Sequence, residues 1–238
     1  MSPIPTFEPP TFELDHLFIC TDINAPAANR LRELGLTEGL ANRHPGQGTE
    51  NRRFFFHNAM LELLWVYSPE EAQSEAIRRT HLWERWQQRS QRQICPFGLC
   101  LRPTADHSAA SPLSPLFSAW DFRPPYLPPS LSISVGNNSH LLAEPMLFQT
   151  PFSKRPDQKS SEKLLPLNHA LGLTELTGVV LSMPAGVRQL SAELNAVLDA
   201  TQIKLQEDSQ YYVELLFDGE TKKQQADLRP DLPLIIRW

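Results

Sequence analysis

The sequence is poor in the residues and runs that mark several large classes of protein. Its three cysteines, Cys20, Cys95 and Cys100, have spacings that match neither a zinc knuckle nor a CxxC redox pair. No stretch approaches the roughly 18 consecutive apolar residues of a membrane-spanning helix. The formal net charge of -5 lacks the excess of lysine and arginine that nucleic-acid binding requires. These absences predict a protein with reduced thiols that binds neither membranes nor nucleic acid.

Short motifs of the commonest enzyme classes are also missing. The chain contains no GxSxG, P-loop, GxGxxG or HExxH sequence, which removes the usual hydrolase, nucleotide-binding and zinc-protease interpretations. Residues 1–11 lack the basic cluster and apolar core of a signal peptide, and their prolines indicate an extended tail. We therefore expect a cytoplasmic globular protein whose functional site has to be found from its strand pattern.

Alternation of apolar residues predicts two similar groups of strands near the ends of the chain. In residues 12–67 a strand at Phe12–Cys20 is followed by a helix and then by three strands, the last two joined through Asn58 and Ala59. The same order returns in residues 174–238, where ELTGVVLS matches ELDHLFIC and YVELLFD matches MLELLWV. This duplication predicts an α+β fold built from two βαβββ modules.

The segment between the modules, residues 68–173, is interpreted as an insertion. A capping serine, a first-turn proline and two acids predict a helix that begins at Ser68 and continues to about Arg92. Of the 22 prolines in the chain, 11 follow in residues 103–166, where they favour loops and short edge strands over helices. Two short strands are predicted inside this Pro-rich part, at residues 131–135 and 146–148.

A single carboxylate, Glu62, interrupts the apolar strand Met60–Val66. Its neighbours on both faces are apolar, which is typical of a strand that is covered on one side and lines a cleft on the other. Because a buried carboxylate without a partner costs several kcal/mol, Glu62 has to meet a cation or a hydrogen-bond donor. In the second group of strands, Glu214 holds the matching position.

The first module resembles the glyoxalase-like branch of the vicinal oxygen chelate superfamily. The stretches that carry the resemblance are LDHLFIC (Leu14–Cys20), HPGQGTENRRFFF (His44–Phe56) and LELLWV (Leu61–Val66). The resemblance implies that the two βαβββ modules form one half-open curved sheet, whose concave cleft holds a small organic molecule and a metal. One metal ligand would come from the first strand of each module and a glutamate from the fourth strand. It also implies a protein that works as a monomer or a homodimer.

Carried onto this sequence, the resemblance names His16, Glu62 and Glu214 as metal ligands, with the two glutamates as catalytic carboxylates. Gly178 stands at the fourth ligand position and has no side chain to contribute. One imidazole and two carboxylates would suit a divalent ion such as manganese, magnesium, iron or zinc, with waters completing the shell. The residues alone leave another interpretation open, in which His16 is a core histidine satisfied by a backbone carbonyl or by Asp15.

Polar residues around the third strand are candidates for ligand binding. His44, Thr49 and Asn51 belong to a turn that we expect to close the cleft, and Arg53 and Arg102 offer guanidinium groups to a ligand. Two functions follow. The first is a metal-dependent enzyme, a glyoxalase-type lyase or isomerase or a dioxygenase. The second is a metal-free protein that binds or sequesters a small molecule, with the cleft carboxylates paired to arginine.

Overall fold

The computed structural model describes residues 11–104, 114–159, 165–185 and 189–238. Residues 1–10 of the predicted tail lie outside them. So does Gly186, near which the apolar pattern of residues 174–238 predicts the start of a helix that continues to about Ala200. The strands are β1 (Phe12–Cys20), β2 (Asn42–His44), β3 (Thr49–Phe55), β4 (Met60–Val66), β5 (Phe97–Pro103), β6 (Ala119–Phe122), β7 (Ile133–Gly136), β8 (Met146–Gln149), β9 (Leu176–Pro184), β10 (Ile203–Asp208), β11 (Tyr212–Phe217), β12 (Gln225–Asp227) and β13 (Leu234–Arg237). The α-helices are α1 (Ala28–Glu33), α2 (Pro69–Ala72), α3 (Leu82–Gln87) and α4 (Ala192–Ala200), and short 3-10 helices occupy Arg78–Thr80, Asn137–His140, Pro156–Gln158 and Asp218–Glu220.

The larger sheet has eight strands in the order β2-β3-β4-β1-β5-β8-β7-β6. The order is symmetric about its centre, where β1 and β5 run antiparallel. In each half the first strand pairs in parallel with the fourth, and the remaining neighbours are antiparallel. The α+β class and the half-barrel arrangement predicted from the sequence are therefore confirmed.

The second half of this sheet comes from residues 97–149 and not from residues 174–238, which corrects the predicted module boundaries. Three of its four strands have only four residues each. Their connections contain most of the local prolines, including Pro124 and Pro125 before β7 and Pro145 before β8. Proline is compatible with loops and strand ends, so its density conceals strands that lie between the loops. The predicted strands at 131–135 and 146–148 correspond to β7 and β8.

Residues 174–238 form a separate five-stranded sheet in the order β10-β9-β11-β13-β12. Here the first strand, β9, pairs in parallel with β10, the next strand along the chain, and antiparallel with β11. In the eight-stranded sheet, by contrast, β1 pairs in parallel with β4, the fourth strand of its half. The similarity between the two ends of the chain therefore reflects a shared apolar strand pattern and not a shared topology. Asn58 joins the sheets, since its side-chain amide exchanges two 2.8 Å hydrogen bonds with the backbone of Leu176.

One continuous apolar cluster lies between the two sheets and includes residues of α1 and α4. Alternate residues supply it, such as Leu61 and Leu63 of β4 and Val213 and Leu215 of β11, all at most 2% exposed. Because side chains alternate along a strand, the residues between them point away from the shared core. The opposite face of the eight-stranded sheet is the cleft face.

A helical segment of residues 69–87 covers part of the cleft face. The predicted continuous helix is wrong here, because the segment breaks into α2, a 3-10 turn and α3, with a left-handed backbone at His81 (φ 55°). Its side chains Ile77 and Leu82 pack with Phe18 and Leu64 in a second apolar cluster. No helix in the described part of the chain is long and apolar enough to cross a membrane. All three cysteines are buried and unpaired.

We expect Leu215→Ala to lower the free energy of unfolding by about 2–5 kcal/mol, because it leaves a void in the core that both sheets share. Leu216→Ala is the matched control, since it removes the same group from the other, partly exposed face of the same strand. Urea unfolding followed by tryptophan fluorescence measures both variants. Equal losses of stability would contradict the shared core, as would an unfolding curve in which the C-terminal sheet melts separately.

Candidate functional site

Strand pairing brings His16 and Glu62 together on the cleft face. In the parallel pair of β1 and β4, Phe18 stands opposite Glu62, and His16 lies two residues earlier on the same face. The Nε2 atom of His16 is 3.5 Å from Oε2 of Glu62. The imidazole also packs edge-on against Phe148, with ring centroids 5.3 Å apart. These two expected site residues therefore share one position in the fold.

The partners of Glu62 are an amide and an imidazole. Glu62 is only 5% exposed, and its Oε1 accepts a hydrogen bond from Nδ2 of Asn51 on β3. Arg53 faces Glu62 across the β3–β4 pair, yet its Nε donates to the carbonyl of Leu40 at 2.8 Å. Within the described residues Glu62 forms no ion pair with arginine, so its expected pairing with Arg53 or Arg102 is wrong. Asn51 takes that place.

Asp15 orients the imidazole of His16 from behind. Consecutive strand residues normally face opposite sides, but a bulge in the β1–β5 register at Asp15 turns its carboxylate toward the ring. Oδ1 of Asp15 lies 2.6 Å from Nδ1 of His16. Arg102, 1% exposed, donates to Oδ2 of Asp15 at 3.0 Å and to Glu13 at 3.0 Å. Arg102 therefore positions Asp15. It was expected to bind ligand, but it does not line the cavity.

The charges of Asp15 and His16 stabilise each other. Burial lowers the pKa of His16, but the neighbouring Cys100 sulfur and the Asp15 carboxylate outweigh this effect and hold that pKa well above its usual range. Burial likewise raises the pKa of Asp15, whereas the hydrogen bond and charge of His16, followed by Arg102, bring it below its usual range. The pair therefore consists of a carboxylate and an imidazolium at neutral pH.

The predicted turn at residues 44–51 closes one end of the cleft through a network of polar side chains. Nδ1 of His44 lies 2.9 Å from Oγ1 of Thr49, which also accepts a 2.8 Å hydrogen bond from Nε2 of Gln47. The hydroxyl of Tyr126 donates to Oε1 of Gln47 at 3.1 Å, and its ring packs on His44 with centroids 5.0 Å apart. Most of the hydrogen-bonding groups of these side chains are therefore paired with one another.

Between this network and the helical segment lies a cavity of about 130 Å³, here called the site cavity. Polar groups gather where His16 and Glu62 meet the 44–51 turn, and the remaining wall is mainly apolar. The lining residues are His16, Phe18, His44, Gln47, Glu62, Leu64, Leu82, Phe122, Tyr126, Ile133, Val135, Met146, Phe148 and Thr150. Both halves of the eight-stranded sheet contribute to this wall.

Glu214 and Gly178 do not belong to this site, which corrects their predicted roles. Glu214 lies on β11 in the other sheet, on the face turned away from the shared core, and its carboxylate pairs with Nε of Arg237. Glu62 and Glu214 therefore face away from each other across the molecule. Gly178, on β9 opposite Leu216, belongs to the same five-stranded sheet as Glu214.

Several residues of the site were missed by sequence reasoning. Cys100 lies directly opposite His16 in the β1–β5 pair, and Tyr126 and Gln47 help to close the cavity. No local signal identifies Tyr126, because it follows two prolines in a loop whose partner lies far away in sequence. Asp15 had one visible signal, its position next to His16, but only the bulge shows that the two side chains meet.

The donors at this site do not make up a complete metal shell. His16 and Glu62 offer one nitrogen and one oxygen to the cavity. Asp15 and Cys100 also place a ligand atom within 4.8 Å of His16, but the Asp15 carboxylate is bonded to Nδ1 of the ring. The Cys100 thiol is fully buried, which raises its pKa, and it contacts Thr150. Facing them, the second half of the sheet presents Phe148 and other apolar side chains. Glu214, the third expected ligand, lies in the other sheet, so the expected three-residue metal set is not assembled.

The Asp15–His16 pair predicts how stability depends on pH. Because the pKa of His16 is raised in the folded state, its contribution is complete below about pH 6.5 and is lost as the pH rises through the folded-state value. The lowered pKa of Asp15 means that the ion pair loses its contribution on the acidic side only below about pH 4, as Asp15 becomes protonated. The stability difference between wild type and His16→Gln should therefore be largest near pH 5–6 and become smaller as the pH rises toward 9.

Urea unfolding at several pH values measures this difference, and His140→Gln, which removes an exposed imidazole, is the control. A His16→Gln difference that stays constant across this pH range would contradict the ion pair.

Comparison with known proteins agrees with the resemblance noted in the sequence. A family model described as a glyoxalase-like domain matches residues 14–111. No protein of curated function matches the chain in sequence. A crystal structure of a hypothetical protein from Staphylococcus aureus is similar in fold, with a TM-score of 0.54 and 11% identity over 95% of this chain and 98% of that one.

Two further structures align less well. A hypothetical protein from Bacillus halodurans has a TM-score of 0.39 and 12% identity over 61% of this chain and 97% of its own. A variant of 4-hydroxymandelate synthase from Streptomyces coelicolor has a TM-score of 0.43 and 12% identity over 87% of this chain and 72% of its own. The match identifies residues 14–111 as a glyoxalase-like domain, and the half-barrel topology of the eight-stranded sheet agrees with it.

Proposed function

We propose that this protein binds a small organic molecule in the site cavity and that His16 and Glu62 transfer a proton to or from it. The observation that carries the proposal is the 3.5 Å approach of His16 Nε2 to Glu62 Oε2 at the polar end of the cavity. A proton donor and a proton acceptor that are buried side by side, with space for a ligand, are the elements of general acid–base catalysis.

The surroundings of the pair support complementary roles. The imidazolium of His16, held by Asp15 at Nδ1, would donate a hydrogen bond from Nε2 to a ligand oxygen as negative charge develops there. The Glu62 carboxylate, oriented by Asn51, would take a proton from the carbon or oxygen next to it. Apolar side chains such as Phe148 and Val135 exclude water from the remaining cavity, which strengthens both interactions. A lyase or isomerase reaction of the enolate type suits this arrangement.

Exchange of carbon-bound hydrogens tests the proton transfer directly. We expect the wild-type protein to accelerate deuterium incorporation at the α-carbons of cyclopentanone in D₂O, as measured by proton NMR. Glu62→Gln, which keeps the shape but loses the base, should reduce the protein-dependent rate by about 10²-fold or more. Glu214→Gln is the matched control, because it changes an equally buried strand glutamate that lies in the other sheet. Equal rates in wild type and Glu62→Gln would rule out the proposed base.

A divalent metal is the competing occupant of the same pair. Metals are frequent in this superfamily, and a 3.5 Å separation is compatible with two ligands at about 2.0–2.2 Å from one ion. The carboxylate of Asp15 behind His16 also matches the usual outer shell of a ligating histidine. This observation favours a second candidate function, a metal-dependent enzyme.

Calorimetric titration of EDTA-treated protein with zinc and with manganese separates the two candidates. Because Glu214 lies in the other sheet and leaves the pair without a third carboxylate or imidazole ligand, we expect no binding tighter than about 1 µM. Tight binding that is lost in both His16→Gln and Glu62→Gln would establish the metal-dependent function instead. Binding that survives both substitutions would point to another place on the surface.

A further inference from the structure

The size of the site cavity limits what can enter it. Its volume of about 130 Å³ is slightly smaller than an apolar cavity of about 150 Å³ that holds one benzene molecule. A single ring or a short branched chain of five to seven heavy atoms therefore fills the available space. Nucleotides, sugar phosphates and bicyclic compounds are too large unless the surrounding loops move.

The wall of the cavity determines how much of the ligand is apolar. Eight of the lining residues are hydrocarbon or thioether side chains: Phe18, Leu64, Leu82, Phe122, Ile133, Val135, Met146 and Phe148. Among the polar lining residues, the hydroxyl of Tyr126 donates to Gln47, and both ring nitrogens of His44 already have partners in Thr49 and Asn42. The hydroxyl of Thr150 contacts the Cys100 sulfur at 3.4 Å. The charged side chains that remain for a ligand oxygen are His16 and Glu62, which stand together at one end. The cavity therefore accommodates an apolar body with one polar end.

The charges at that end exclude anions. No lysine or arginine is among the lining residues in the described part of the chain. Arg53 is turned toward the carbonyl of Leu40, and Arg102 is occupied by Glu13 and Asp15. The ring of His16 already lies between the carboxylates of Asp15 and Glu62, at 2.6 and 3.5 Å. A ligand carboxylate or phosphate would be buried beside two negative charges with no free guanidinium, which is strongly unfavourable.

Resting on the proposed function, we propose that the ligand is a small uncharged molecule with a single hydroxyl or carbonyl oxygen on an apolar ring or short chain. The oxygen accepts a hydrogen bond from Nε2 of His16, and a hydroxyl also donates to Glu62. The apolar body fills the space between Phe148, Val135 and Leu82. A second, adjacent oxygen is not required, because one hydrogen-bonding end serves the whole ligand.

Binding of simple probes tests this ligand class. Phenol and cyclohexanol represent the proposed class, benzene lacks the oxygen, benzoate carries a charge, and catechol adds a second oxygen. By isothermal titration calorimetry of the full chain at pH 7, we expect phenol and cyclohexanol to bind at least about ten-fold more tightly than benzoate, and catechol to gain nothing over phenol.

Variants locate the binding in the site cavity. Leu64→Phe fills the cavity and should weaken phenol binding at least about ten-fold, and Val135→Leu adds one methylene and serves if Leu64→Phe fails to fold. Leu40→Phe, at an 85% exposed position, is the control and should bind phenol like the wild type. Unchanged phenol binding in a folded cavity-filling variant would overturn the assignment.

The outcomes separate the ligand class from the proposed function. If benzoate binds as tightly as phenol, or if catechol binds about ten-fold more tightly than phenol, the proposed class of neutral ligands with a single oxygen is wrong. Ligand binding in the site cavity would still stand if Leu64→Phe weakens it. If no probe binds but cyclopentanone exchange still depends on Glu62, the ligand class fails and proton transfer survives. If neither binding nor exchange is found, both proposals fail.

Discussion

The antiparallel pairing of β1 with β5 is the constraint on which the rest of the molecule depends. It joins two four-stranded halves of one sheet, and each half adds its fourth strand in parallel beside the central strand. The seam places His16 opposite Cys100 and contains the bulge at Asp15. A regular register there would turn the Asp15 side chain to the far face and leave His16 without its carboxylate. The geometry of the site therefore follows from the way the two halves meet.

The buried charged side chains are neutralised by a series of ion pairs between neighbouring strands. Arg102 neutralises Glu13 and Asp15, Asp15 holds His16, and His16 faces Glu62. Positive and negative groups alternate along this series, so that no charge remains isolated in a medium of low dielectric constant. Only the last members, His16 and Glu62, reach the cavity. The buried network therefore ends at the place where a ligand would sit, and this is why a stability feature and the candidate chemistry coincide.

A fully buried guanidinium also supports the loops around the sheet. Arg85 of α3 is 0% exposed, and its Nη1 donates to the backbone carbonyls of Cys95 and Glu144. The first of these carbonyls comes just before β5 and the second just before β8, the two parallel neighbours of the second half. The broken helical segment over the cleft face is thus anchored to the strands that form the cavity wall, which explains how a segment without a long helix keeps its place.

The first half of the sheet was predictable because its strands are long and alternate regularly, and because Glu62 is an evident exception within β4. The second half was assigned to the wrong segment, since four-residue strands separated by prolines give little periodic signal, whereas β9 and β11 give a strong one. The same error produced the false partnership of Glu62 with Glu214. Apolar alternation identifies a strand but does not identify the strand next to it.

By itself, the sequence determined the class of fold, the strands of the first half and the existence of a buried carboxylate that needs a partner. Those properties follow from local periodicity and from the cost of burying charge, and both can be recognised from residues that are close together in the sequence. Only the tertiary structure decided that the partners are Asn51 and His16, that Asp15 stands behind the imidazole, and that the cavity closes against Tyr126. Such contacts join residues up to 82 positions apart, as for His44 and Tyr126, and depend on strand order and register, which no local pattern specifies.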